Sequence, residues 1–296
     1  MHVIMGGRNS GLGICFHLAF RWCSVPVSFM DDLLPTRVNA PPVILSLSGH
    51  DPTGGAGVQA DIEAIRALGG HPCTVITALT AQDSEDVAMV YPQDPDAFEA
   101  QCSLLLSDFT ISAIKVGLLG SHFIARRVAK VIDQAGSIPV VLDPVLAAGG
   151  GTDLAGDMLL SVIRHEILPR STWVTPNVPE VLRLGGSDSI EACVERLRNY
   201  GARHILVTGT HAAEPEVVNR WFGPDGVAEW RWARLPENYH GSGCTLAAAL
   251  AAGVAGGLSD LDAVVQAQTL TYRALSGGYP LGRGQWFPKR CEVMGG

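Results

Sequence analysis

Cysteine is sparse and badly placed for cross-linking. There are seven, odd in number and widely spaced, and no Cys-x-x-Cys pair occurs. That excludes both a disulfide framework and a structural zinc site of the usual spacing, and makes a reducing cytoplasm the expected setting. Basic residues are also in deficit. The formal net charge is −8, and the Lys and Arg residues form no run or patch, so no nucleic-acid or anionic-membrane partner is expected. No apolar run is long and unbroken enough to span a bilayer. The apolar stretch within residues 1–30 is interrupted by His17, Arg21 and Trp22 and lacks a clear small-residue cleavage site. Internal repeats and low-complexity tracts are missing too. So are a Walker loop and a dinucleotide-binding glycine fingerprint.

What remains is rich in glycine, with 34 residues, and long enough at 296 residues for one α/β domain. Residues 1–40 differ in pattern from the rest and are read as an N-terminal extension outside the fold, with Met30 as an alternative start. Residues 41–296 are read as the folded domain. From Val43 onward, β-branched runs alternate with helical spacing. The runs are Val43–Ser48, Thr74–Ala78, Ala113–Val116, Val140–Leu142, Trp173–Thr175 and Ile205–Val207. Helical spacing marks the segment carrying Val58, Ile62 and Ile65, then Ile124–Gln134, Leu159–Ile167 and Ile190–Tyr200. Such alternation predicts a mostly parallel sheet covered on both faces. Val217–Phe222 and Val227–Trp232 flank Gly223-Pro224-Asp225-Gly226, which predicts a late hairpin, followed by helices over Cys244–Ala255 and Leu261–Leu275.

Two glycine clusters stand at strand-to-helix junctions. Gly49-His50-Asp51-Pro52-Thr53-Gly54-Gly55-Ala56-Gly57 follows the first strand, and its glycines let the backbone approach a ligand closely. The second, Gly241-Ser242-Gly243-Cys244-Thr245, runs straight into a small-residue helix. Free N–H groups and the positive end of the helix dipole make this an anion hole. The same field favours a thiolate at Cys244, although a small buried hydrophobe is an equally ordinary use of cysteine. Asp143 ends one strand, and Asn177 and Glu180 follow another. Carboxylates at such positions face the crevice where α/β proteins bind ligands, yet each also fits an ordinary cap or turn. With two anion-cradling turns nearby, they make up a candidate magnesium–triphosphate site.

The Gly49–Asp61 block, Thr77–Gln82, Lys115-Val116-Gly117-Leu118, Asp143-Pro144-Val145, Thr175–Glu180 and His240–Thr245 together resemble hydroxymethylpyrimidine/phosphomethylpyrimidine kinase of thiamine biosynthesis. The resemblance runs from about Val43 to about Ala274, in order and spacing. It implies a ribokinase-like three-layer αβα fold and phosphorylation of 4-amino-5-hydroxymethyl-2-methylpyrimidine, then of its monophosphate, with ATP and magnesium. Relatives are commonly homodimers. By the same resemblance, Gln82 reads the aminopyrimidine, and its carboxamide offers a donor and an acceptor to do so. Gly49, Asp51, Ala56, Asp61 and Leu118 fall on the substrate side. Gly241, Ser242 and Gly243 form the anion hole and Cys244 takes the catalytic position. Asn177, Thr208 and Gly209 fall on the nucleotide side, and Asp143 and Glu180 at the metal.

The chain also departs from the common pattern. Thr208-Gly209-Thr210-His211 stands where many relatives have lysine and two glycines. Ala147-Ala148-Gly149-Gly150-Gly151 lacks a common Lys-Ser, and Leu118 replaces a frequent methionine. Arg283 in the tail is a candidate replacement cation. A pyridoxal-type vitamin kinase and a non-catalytic pyrimidine-binding module on the same fold are the competing expectations.

Overall fold

A computed structural model describes residues 40–209 and 215–291. Thr210, His211 and nearly all of the expected extension at residues 1–40 lie outside the described residues. Among the described residues, nine strands form one sheet in the order β3-β2-β1-β4-β5-β6-β7-β8-β9. They are β1 (Val43–His50), β2 (His71–Gln82), β3 (Val87–Pro92), β4 (Ile111–Val116), β5 (Val140–Leu142), β6 (Trp173–Val174), β7 (His204–Val207), β8 (Glu216–Gly223) and β9 (Gly226–Ala233). From β2 to β7 every neighbouring pair is parallel. β3 and the β8–β9 hairpin add antiparallel edges. Gly223 pairs with Gly226 across the expected hairpin turn.

The helices are α1 (Gly57–Ala67), α2 (Pro95–Asp108), α3 (His122–Ala135), α4 (Asp157–Val162), α5 (Val178–Gly185), α6 (Ile190–Tyr200), α7 (Ser242–Ala255) and α8 (Asp260–Ser276). α4 runs on through a π turn, Ile163–Ile167. Alternation along β1 shows how the sheet separates two cores. Leu45 and Leu47 enter the core that includes residues of α2 to α6, whereas Ile44 enters the one shared with α1, α7 and α8. This is the expected three-layer αβα architecture. β3 and α2 are additions to the sequence expectation.

β1 breaks its own apolar pattern on the α1–α7 side, where Ser46 and Ser48 replace aliphatic residues and are fully or almost fully buried. Both hydroxyls donate to Asp61 Oδ2 on α1, at 2.6 and 2.7 Å. Lys115, from the next strand over, reaches the same carboxylate at 2.9–3.0 Å and also donates to Ser48 Oγ. Gly117 makes room for this: a Cβ there would sit 2.7 Å from Lys115 Nζ and 2.5 Å from Ser48 Oγ. The core therefore contains a buried, charged cluster directly behind the strand ends.

Candidate active site

The parallel strands end along one edge, and the expected site residues follow those ends. Asp51 succeeds β1, Leu118 lies two residues past β4, and Asp143 succeeds β5. Asn177 follows β6 and Thr208 follows β7. A cavity of about 1100 Å³ runs along this edge. Gly49, Asp51, Ala56, Gln82 and Leu118 line one part. Asp143, Gly241, Ser242, Gly243, Cys244, Glu180, Asn177 and Thr208 also line it. Gly209 and Asp61 do not line it. Asp61 is fully buried in the cluster behind it, and the Gly209 amide donates to Asn219 Oδ1 at 3.1 Å.

The first glycine turn is organised by Asp51. Its carboxylate accepts from the Thr53 amide and hydroxyl, the Ala56 amide at 2.7 Å and His240 Nε2 at 2.9 Å. Burial works to raise the Asp51 pKa, but these bonds outweigh it and bring it down to about 2. Gln82 Nε2 donates to Thr80 Oγ1 at 2.7 Å, which orients the carboxamide in the cavity wall.

The second turn opens α7. Gly241 is its N-cap, left-handed at φ 68°, and a Cβ there would meet the Gly55 carbonyl oxygen at 2.0 Å. Only glycine lets the two turns touch. Ser242, Gly243 and Cys244 then occupy the first helical turn, where amides have no intrahelical acceptor. The field expected to favour a thiolate here is outweighed. Burial pushes the Cys244 thiol up to about 12, and Asp143 and Asp61 push the same way. Lys115 and the Gly57 amide, which donates to the sulfur, work against them and lose. The thiol is hydrogen-bonded to the Asp143 carboxyl.

Asp143 is itself driven up to about 6 by burial, with Asp61 adding and Lys115 opposing. Its Oδ2 is buried with no hydrogen-bond partner among the described residues. Glu180 is pushed up to about 8 by burial and by the charge of Asp143. Two crowded carboxylates, one with an orphaned oxygen, form an oxygen donor set that fits a hard divalent cation. No group of three or more His, Cys, Asp or Glu side chains suited to a metal occurs among the described residues. A cation here would thus draw its remaining ligands from water and phosphate, as magnesium does. Glu180 also serves as a cap, the alternative that its sequence position offered. Its Oε2 accepts from the Asn177 amide while Asn177 Oδ1 accepts from the Glu180 amide, both at 2.9 Å.

Sequence reasoning quoted Lys115 and His240 within the family motifs but assigned neither a part. It also put the tail cation at Arg283. That side chain is 81% exposed and pairs with Asp83 and Glu85 at the cavity mouth. At the far end of the cavity, Asn219 Nδ2 and Trp232 Nε1 both donate to Gln268 Oε1 at 2.9 Å, a network with no periodic signature.

Known proteins bear on this site in the same sense. A family model described as phosphomethylpyrimidine kinase matches residues 51–288. The hydroxymethylpyrimidine/phosphomethylpyrimidine kinase of Streptomyces coelicolor is 36% identical over 259 residues, covering 84% of this chain and 94% of that one. A thiamine biosynthesis bifunctional protein, ThiED of Geobacter sulfurreducens, is 34% identical over 81% of this chain, which spans only 50% of that protein's length. Among solved structures, pyridoxal kinase from Staphylococcus aureus in complex with AMP-PCP and pyridoxal superposes with a TM-score of 0.77 at 27% identity. The match covers 85% of this chain and 94% of that one. The motifs, the ribokinase-like architecture and these likenesses agree: this chain is a kinase and belongs to the phosphomethylpyrimidine kinase family.

Proposed function

We propose that this chain transfers the γ-phosphoryl group of ATP to the hydroxymethyl group of 4-amino-5-hydroxymethyl-2-methylpyrimidine, and then phosphorylates the monophosphate to the diphosphate. The observation that carries it is the single continuous cavity. It has Gln82 and the Asp51 turn on one side, Asn177 and Thr208 on the other, and Cys244 beside the α7 N-terminus between them.

Phosphoryl transfer asks mainly for positioning and charge stabilisation. Gly49, Ala56, Leu118 and Gln82 would seat the pyrimidine, and the Gly241–Gly243 amides would receive the transferred phosphoryl oxygens. Asp143 and Glu180 would hold magnesium, which when bound neutralises phosphate charge. Asn177, Thr208 and Gly209 fall to the nucleotide side, and Asp61 supports the turn through its cluster. Cys244, once ionised, would accept the hydroxyl proton. The enzyme is expected to work in the cytoplasm as a homodimer, and the described cysteines are all free thiols.

A pyridoxal-type kinase is the second reading, favoured by the likeness to the S. aureus enzyme bound to pyridoxal. ATP turnover across pyrimidine and pyridoxine alcohols separates the two. Preference for the pyrimidine alcohol is expected; preference for the pyridoxine alcohol replaces the first reading with the second, and turnover of neither removes both.

A further inference from the structure

The two glycine turns come from opposite parts of the chain, so something must hold their register. Two contacts between them are direct: Gly241 against the Gly55 carbonyl, and His240 Nε2 on the Asp51 carboxylate at 2.9 Å. A third runs through Arg290, two residues beyond the segment matched by the family model. Its side chain is 1% exposed, and its guanidinium grips three separate pieces of structure. Nε donates to Thr245 Oγ1 at 2.7 Å, Nη1 to Glu63 Oε2 at 3.0 Å, and Nη2 to the Gly55 carbonyl oxygen. Thr245 Oγ1 in turn donates to the Gly241 carbonyl at 2.7 Å. Gly55 lies next to Ala56, whose amide is bound by Asp51.

The tail delivers this group because it is itself pinned. The Trp286 carbonyl accepts from the His240 amide, and the Lys289 amide donates to the Ala274 carbonyl. A planar fork of donors is needed to satisfy three acceptors on α7, α1 and the β1–α1 turn at once, and lysine has no such fork. Among the described residues its one ion pair is with Glu63, which is part-exposed at 43%.

We propose that Arg290 is a positioning residue. It clamps the substrate-side turn to the anion-hole turn, so that the acceptor hydroxyl and the receiving amides keep one fixed separation. This rests on the kinase reading above for its kinetic consequence, though not for its structural one. Misplacement by an ångström costs rate rather than ground-state affinity for the remote nucleotide end.

Arg290→Lys and Arg290→Ala, purified as the full chain, are each expected to lose about 10–100-fold in kcat with KM for ATP essentially unchanged. Guanidinium ion should restore part of the Arg290→Ala rate and none of the wild-type rate. Glu63→Gln leaves the grips on Thr245 and Gly55 in place and is expected to lower Tm while keeping kcat. Folded Arg290 variants with wild-type kcat and only a lower Tm would overturn the proposal. Should neither fold, Thr245→Val, which removes one grip, carries the same expectation, and wild-type kcat there overturns it equally. Failure of the functional reading is recognised separately, because the wild type would then phosphorylate no alcohol offered. In that event amide hydrogen exchange decides. Arg290→Lys, or Thr245→Val in its place, should speed exchange across residues 51–57 and 240–245 together, and loosening of one turn alone, or of neither, sinks the clamp.

Discussion

Asn177 and Glu180 cap each other: each backbone amide donates to the other's side chain at 2.9 Å, closing the first turn of α5. Glu180 Oε1 also accepts from the Leu146 amide at 3.3 Å. Glu180→Ala should therefore lose about 0.5–2 kcal/mol of stability, the usual range for a lost cap. Asp143 Oδ2 holds no hydrogen bond, so Asp143→Asn should cost little stability. Both substitutions are expected to raise the magnesium concentration needed for half-maximal rate. Thermal melts and magnesium titrations check the pair, and magnesium curves identical to wild type would leave Glu180 a cap alone.

The same carboxylates predict a pH dependence in metal-free protein. Glu180 is raised to about 8 from 4.5, and Asp143 to about 6 from 3.8. The folded state then binds more protons than the unfolded chain between those values, so their contribution is fully present below the unfolded values. It is lost as pH rises through about 6 and then about 8. Burial lowers His204, which works in the opposite sense, so the comparison must be with Glu180→Gln. Wild type should lose stability relative to that variant between pH 5 and 8, on the order of a few kcal/mol at most. Magnesium should close the gap. Parallel melting curves at every pH would refute the crowding of the two carboxylates.

Lys115 and Asp61 form a fully buried ion pair behind the site. Lys115→Met strands the carboxylate and should cost about 3–5 kcal/mol, whereas removing both charges, as in Lys115→Met with Asp61→Leu, should cost less than the single change. Chemical denaturation of both variants tests this. A double variant less stable than Lys115→Met would show that the serine hydroxyls, rather than the charges, govern the cluster.

That cluster marks where sequence reading stops. The parallel strands were legible because they are short β-branched runs, and the hairpin because Gly223-Pro224-Asp225-Gly226 is turn chemistry. β3 and α2 were not. β3 is an edge strand with mostly exposed side chains, and α2 buries only Phe98 and Cys102, so neither carries a strong period. The cavity-lining residues after the strand ends could be picked out one by one, since topology alone puts them on one edge. Arg290 could not, because its partners Glu63 and Gly55 lie 227 and 235 residues away.

Gln82 is expected to choose the acceptor. Nε2 is committed to Thr80 Oγ1, which turns the carbonyl oxygen into the acceptor available for an exocyclic amine. Gln82→Leu should cost about 1–3 kcal/mol in kcat/KM for the pyrimidine alcohol. Unchanged kcat/KM for that substrate would transfer the reading role to another wall of the cavity.

Cys244 is where the two phosphorylations should part. The hydroxymethyl acceptor must lose a proton, and a positioned group to take it is worth about 10²–10⁴-fold. The monophosphate acceptor is already ionised near neutrality, so the second step makes no such demand. Burial pushes the thiol up to about 12, and it is hydrogen-bonded to Asp143, so it is protonated at neutral pH. Anything that draws the Asp143 charge away, a bound divalent cation above all, removes one cause of that elevation. Lys115 and the Gly57 amide then favour the thiolate against burial and Asp61. Cys244→Ser should lose most of the alcohol kinase rate and much less of the monophosphate kinase rate. Cys244→Asp should recover part of the first step. In wild type, the pH at which the alcohol step reaches half its plateau should fall as magnesium is raised, and in Cys244→Ser it should not move. Equal losses in both steps for Cys244→Ser would mean that the residue acts through the geometry of the α7 N-terminus, and the proton would have to go elsewhere.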